Sequence, residues 1–185
     1  MIPLQIIRMN HLFKIALFFF GFFPSVNLQA QVDLAFFKVY RPNGKLLQLE
    51  PGGSFAHVAI YAKRGWVHAH PRRGVEWISD FSKIGYPRYE VVILRHPHAK
   101  FSEARLRSFL GLPYDWEYDW ATHQSIYCSE LIGKLFRIRP VPMVFDPKIW
   151  GPDYAKKNGL PGLSPDRLYS LARQKGFQVI SRPHR

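Results

Sequence analysis

Cys128 is the single cysteine among 185 residues, which rules out an intrachain disulfide framework and any zinc site built from several thiolates. The chain must therefore hold itself together by burying apolar surface. A composition that is 47% hydrophobic and 16% aromatic supplies enough of it for one domain. The cysteine stands in Tyr127-Cys128-Ser129-Glu130-Leu131-Ile132, and Leu131, Ile132, Leu135 and Phe136 recur at helical spacing. This predicts a buried amphipathic helix with Cys128 in its first turn. There, unpaired N–H groups and the helix dipole favour a thiolate, the attacking species of cysteine catalysis. A lone cysteine is more often inert core filler, so residues elsewhere must decide between the two readings.

The first thirty residues differ in kind from the rest. Arg8 and Lys14 precede the apolar run Ile15 to Phe23, and no acidic residue occurs before Asp33. The pattern is that of a secretory signal peptide, with cleavage expected after Ala30 and a single domain over 31–185. The protein is then expected in a periplasm or outside the cell. Beyond Ala30, 24 basic residues face 13 acidic ones, a formal charge of +11. For an exported chain this points to anionic envelope polymers or lipid headgroups as partners. The Lys and Arg residues are scattered, with no run of the kind that forms a nucleic-acid-binding arm, so nucleic acid is not an expected partner.

Taken in order, Val32 to Tyr40 reads as a first strand closed by Arg41-Pro42-Asn43-Gly44. Ser54 to Tyr61 alternates so that His57, Ala59 and Tyr61 share one face and Val58 and Ile60 the other. A two-residue loop at Lys63-Arg64 returns the chain as Trp66-Val67-His68-Ala69-His70, a register that sets His57, His68 and His70 on one face. Gly74–Ile78 and Tyr89–Arg95 read as further strands. Ser102 caps a helix ending near Gly111, and an aromatic segment, residues 111–120, delivers the chain to Cys128. Residues 139–162, broken repeatedly by Pro and Gly, read as a long surface excursion; a helix from Ser164-Pro165 and an edge strand at Phe177–Ile180 follow.

Three histidines on one face admit a metal site, a solvated surface or a catalytic His oriented by a second polar group. No carboxylate or thiolate stands at ligand spacing to them, which disfavours metal. Only the catalytic reading gives Cys128 a purpose.

The pair His57-Val58-Ala59-Ile60-Tyr61 and Trp66-Val67-His68-Ala69 resembles the strand pair of NlpC-like cysteine peptidases, and Gly111-Leu112-Pro113-Tyr114 resembles their approach to the nucleophile. Here the histidines precede the cysteine, as in the circularly permuted branch. Over roughly residues 50 to 135 the chain is most similar to the permuted papain-like amidases of the YaeF/YiiX type. The resemblance implies an α+β, circularly permuted papain-like fold, a small antiparallel sheet packed against the helix bearing Cys128. It implies Cys128 as nucleophile, His57 as general base and His68 as the group orienting His57, with no cofactor and no metal. Tyr114 would stand near the oxyanion, and Tyr127 and Asp115 would help to bind substrate. In that branch the third member is often a glutamate; His68 at the matching position orients its partner but does not stabilise an imidazolium as a carboxylate would.

The expected activity is a cysteine amidase or peptidase acting on an amide, such as one in a cell-wall peptide, in a monomeric protein. Asp115, Glu117 and Asp119, interleaved with Trp116, Tyr118 and Trp120, are expected at the rim, where they would receive a substrate amine. One alternative is a lipid-directed thiol acyltransferase or phospholipase related to lecithin:retinol acyltransferase, whose usual N-C-E-H segment differs from Tyr127-Cys128-Ser129-Glu130. A second is a non-enzymatic binding module on the same fold.

Overall fold

The computed structural model describes residues 31–181. The signal-peptide expectation falls on residues outside that span. Among the described residues no helix is long and apolar enough to cross a membrane.

The centre is a six-stranded sheet, antiparallel throughout, in the order β4-β3-β2-β1-β5-β8. Its strands are β1 (Val32–Val39), β2 (His57–Ala62), β3 (Gly65–His70), β4 (Gly74–Ile78), β5 (Tyr89–His96) and β8 (Gln178–Ser181). Three helices frame it: α1 (Glu103–Phe109), α2 (Cys128–Leu135) and α5 (Pro165–Gln174). Ser102 and Ser164 cap α1 and α5 by accepting the N–H of the residue three places on, as the sequence predicts.

Both faces of the sheet are covered, which is why β1 is apolar along most of its length rather than alternating. On one face Val58, Ile60, Val67 and Ala69 pack against Leu131, Ile132 and Leu135 of α2 and Leu168 of α5. On the other, Ala35, Phe37, Ala59 and Ile78 pack with Ile84 of a short 3-10 turn, Phe81–Ile84. The β2–β3 hairpin pairs Ile60 with Val67 and Ala62 with Gly65, so its loop is Lys63-Arg64, the two residues expected. The β3–β4 hairpin pairs His70 with Gly74 and His68 with Glu76.

The stretch expected as a surface excursion is organised and partly internal. It holds β6 (Val141–Pro142), α3 (Pro147–Trp150), α4 (Pro152–Ala155) and β7 (Pro161–Gly162), with β6 and β7 paired. Met143 and Phe145 are buried with Tyr118 and Tyr127 in a third apolar cluster. Trp150 Nε1 donates to Leu49 O, and Tyr154 Oη to Trp116 O, tying the excursion to loops beside the nucleophile.

Candidate active site

Cys128 is the first residue of α2 and is 2% exposed. The segment around it is clamped on both sides. Ser129 Oγ donates to Leu163 O at 2.6 Å, and Tyr127 Oη accepts from Leu163 N at 3.0 Å, so the backbone of one residue after β7 is held at both its N–H and its C=O. Glu130 reaches back to accept Tyr127 N at 3.2 Å and pairs with Lys134 Nζ at 2.7 Å. Lys134 in turn donates to Thr122 O, fixing the approach to the helix.

The thiol lies beside the N–H of Val58 as well as those of Cys128 and Ser129, and all three favour its ionised form. Burial outweighs them and pushes the thiol up to about 11. The helix N-terminus thus lowers the cost of a thiolate without making it the resting species, which corrects the expectation drawn from the dipole alone.

Val58 also links the thiol to the histidines, since His57 precedes it on β2. His57 and His68 sit on the sheet face opposite the side chains that meet α2. Cys128 is placed beside the start of β2, at Val58, the residue that follows His57. His57 Nε2 lies 2.8 Å from His68 Nδ1, with the rings at 87°. The His57 ring packs against Phe37 and Tyr86 at centroid distances of 5.7 and 5.5 Å. Both imidazoles are held neutral: burial drives His57 well below its ordinary value, and burial, opposed by Glu76, takes His68 down to about 4.

Beyond His68 stands a residue that the sequence reading left out of the site. Glu76 Oε1 lies 3.2 Å from His68 Nε2, close enough for charge to act although poorly aligned for a hydrogen bond. Arg73 holds that carboxylate through bonds of 2.8 and 3.0 Å from Nε, and burial is outweighed so that Glu76 stays ionised. Pairing across the turn after His70 would have found it, because that register sets Glu76 opposite His68. The carboxylate expected in place of His68 is thus present one residue further out.

His70 shares their face but serves the turn: its Nδ1 accepts the N–H groups of Arg72 and Arg73. Tyr114 lines the cavity with Cys128, within its electrostatic reach, and its hydroxyl is raised well above its ordinary value by burial and then by the thiol. Tyr86, Tyr118 and Tyr127 feel the thiol's charge in the same way, so four phenols lie within its electrostatic reach. Tyr86 carries no signal in the sequence, and Tyr118 is legible there only as one of the aromatics interleaved with the acidic residues. Tyr118 takes a left-handed backbone, φ 55°, a local cost of about 1 kcal/mol that turns its ring into the cluster.

Two expectations need correction. Asp115 is not at the rim: it is 3% exposed, and its carboxylate accepts the N–H groups of Glu117 and Asp119, so it shapes the loop. Glu117 is paired with Lys157 at 2.6 Å. Tyr127 does line the cavity, but its hydroxyl is engaged by Leu163 and Met143 and is not offered to an oxyanion.

No family model matches this chain, and no curated protein matches it. Among solved structures it is similar to the metalloprotein YiiX from Escherichia coli O157:H7, with a TM-score of 0.57 and 15% identity over 85% of this chain and 99% of that one. At that identity the likeness establishes the fold, a mixed α+β permuted papain-like arrangement. The residues present here do not fit a metal. His57 Nε2 and His68 Nδ1 face each other rather than a common point, and among the described residues no group of three His, Cys, Asp or Glu side chains converges.

Proposed function

With the permuted papain-like fold as premise, we propose that the protein is a cysteine hydrolase or acyltransferase that works through a thioester on Cys128. The observation that carries the reading is a thiol at a helix N-terminus in a cavity wall, beside Val58, whose neighbour in sequence is a buried histidine with Nε2 engaged by a second histidine. That the fold also serves NlpC-type hydrolases supports it.

With Nε2 committed to His68, Nδ1 is the nitrogen of His57 left to act as base. The tautomers follow in series: His57 Nε2–H donates to His68 Nδ1, and the proton of His68 sits on Nε2, the nitrogen 3.2 Å from Glu76. As Sγ attacks the acyl carbonyl, His57 Nδ1 takes the thiol proton. The bond to the leaving oxygen or nitrogen breaks, and His57 returns the proton to that atom. A water, deprotonated by the same nitrogen, then attacks the thioester; the C–S bond breaks and the proton goes back to sulfur. Glu76, acting through His68, offsets the charge that His57 carries between these steps. The backbone N–H of Cys128 and the Tyr114 hydroxyl are the donors placed for the oxyanion, one such donor contributing about 3 kcal/mol. The leader-like composition of residues 1–30 supports a site of action in the cell envelope.

The test is to incubate the protein with a short activated acyl ester and look by mass spectrometry for acylation of Cys128. An adduct absent from Cys128→Ala, with turnover lost in that variant, is expected. Equal turnover by wild type and Cys128→Ala sinks the reading.

A further inference from the structure

Cys128 lies in the wall of a cavity of about 460 Å³ between α2 and the segment β6 to β7. Its walls are Tyr118, Val141, Met143, Phe145, Trp150 and Leu163. Its wall is mainly apolar, and several of its polar groups other than the Tyr114 hydroxyl are already engaged. Tyr127 Oη is engaged by Leu163 N and Met143 Sδ, Ser129 Oγ by Leu163 O, and Trp150 Nε1 by Leu49 O. Glu50 and Arg167, the charged residues in the wall, lie within each other's electrostatic reach.

A peptide or sugar placed there would lose water from its amides or hydroxyls and find few partners, at about 1–3 kcal/mol for each group left unpaired. An aliphatic chain has nothing to pair and gains from burial. We infer that this cavity holds the fatty acyl chain of an acylated substrate, with the carbonyl at its inner end presented to Cys128 Sγ. A methylene takes up roughly the volume of a water, about 30 Å³, so a chain of about ten carbons fills most of the space. The lip supports the same occupant: Val144 and Leu160, 59% and 44% exposed, lie on neighbouring stretches beside β6 and β7. The acidic residues that would argue for an amine-bearing peptide are engaged elsewhere, Asp115 by backbone and Glu117 by Lys157.

The inference rests on the thiol reading for its chemistry but not for its binding, and the two are tested apart. In a series of p-nitrophenyl esters from acetyl to hexadecanoyl, kcat/KM should rise by up to about fourfold per added methylene and level off near ten carbons. Met143→Trp, which fills the cavity, should bring the levelling-off to shorter chains. In parallel, decanoate should displace a polarity-sensitive fluorescent fatty acid from Cys128→Ser, which cannot turn over. Cys128-dependent turnover that ignores chain length, with no displacement, overturns the acyl site and leaves the thiol mechanism standing. Displacement without Cys128-dependent turnover of any ester supports the acyl site and overturns the mechanism. Didecanoyl phospholipid vesicles and an N-decanoyl amino acid, compared as substrates, then tell whether the chain arrives on an ester or an amide.

Discussion

His57 Nε2 and His68 Nδ1 lie 2.8 Å apart on neighbouring strands, and this contact engages Nε2 of His57 and leaves Nδ1 as its other ring nitrogen. The same contact extends outward to Glu76 at 3.2 Å and Arg73 beyond it. A neutral histidine against His57 is thereby backed by an ionised carboxylate.

Removing members of that series should have graded effects. His68→Ala frees the His57 ring and should lower kcat by about 10- to 100-fold. Glu76→Gln keeps the shape but removes the charge, so a loss of about tenfold is expected. Its acid limb should move to lower pH, because the carboxylate raises the pKa of the histidine it faces. An unchanged pH–rate profile in Glu76→Gln would reduce that residue to a turn anchor.

Thiol reactivity should report a neutral resting pair rather than a thiolate–imidazolium pair. With Cys128 raised to about 11 and His57 lowered, iodoacetamide should label Cys128 at pH 7 more slowly than it labels a free thiol. The rate should climb steeply above pH 9. Fast labelling near neutrality would mean that the pair is ionised at rest.

Glu130 should leave a mark on stability against pH. Burial, opposed by Lys134, raises its carboxyl to about 7 against an ordinary 4.5. Raised in the fold, this group contributes stability that is fully present below pH 4.5 and is lost as pH rises through 7. Glu130→Gln should cancel that part of the decline, so the difference in denaturant midpoint between variant and wild type should change between pH 4.5 and 7. A difference that is constant over the window contradicts the assignment.

Tyr127→Phe tests the clamp beside the nucleophile. The change leaves the buried N–H of Leu163 without its acceptor and should cost about 1–3 kcal/mol by chemical denaturation. Hydrogen exchange at Leu163 should rise in the variant. No change in exchange there would show that the bond does not hold the excursion in place.

Much of this architecture is legible in the chain because it is set by short-range rules. The alternation in His57–Ala62, the two-residue loop at Lys63-Arg64 and the parity of His68 follow from the period of a strand, and they place His57 and His68 on one face. Helical spacing after Tyr127 likewise puts Cys128 at a helix start, because i, i+3 and i+4 repeats admit few other geometries. Tertiary structure decided what depends on neighbours distant in sequence. Burial, which no local pattern measures, makes Cys128 a neutral thiol and the two histidines neutral bases. The inward turn of Asp115 depends on where two backbone N–H groups fall, and the approach of Tyr86 and Tyr118 to the thiol depends on loop paths. Whether Met143 and Phe145 are surface or wall was settled only when residues 139–162 folded back over α2, because apolar burial acts through space and carries no record of chain order.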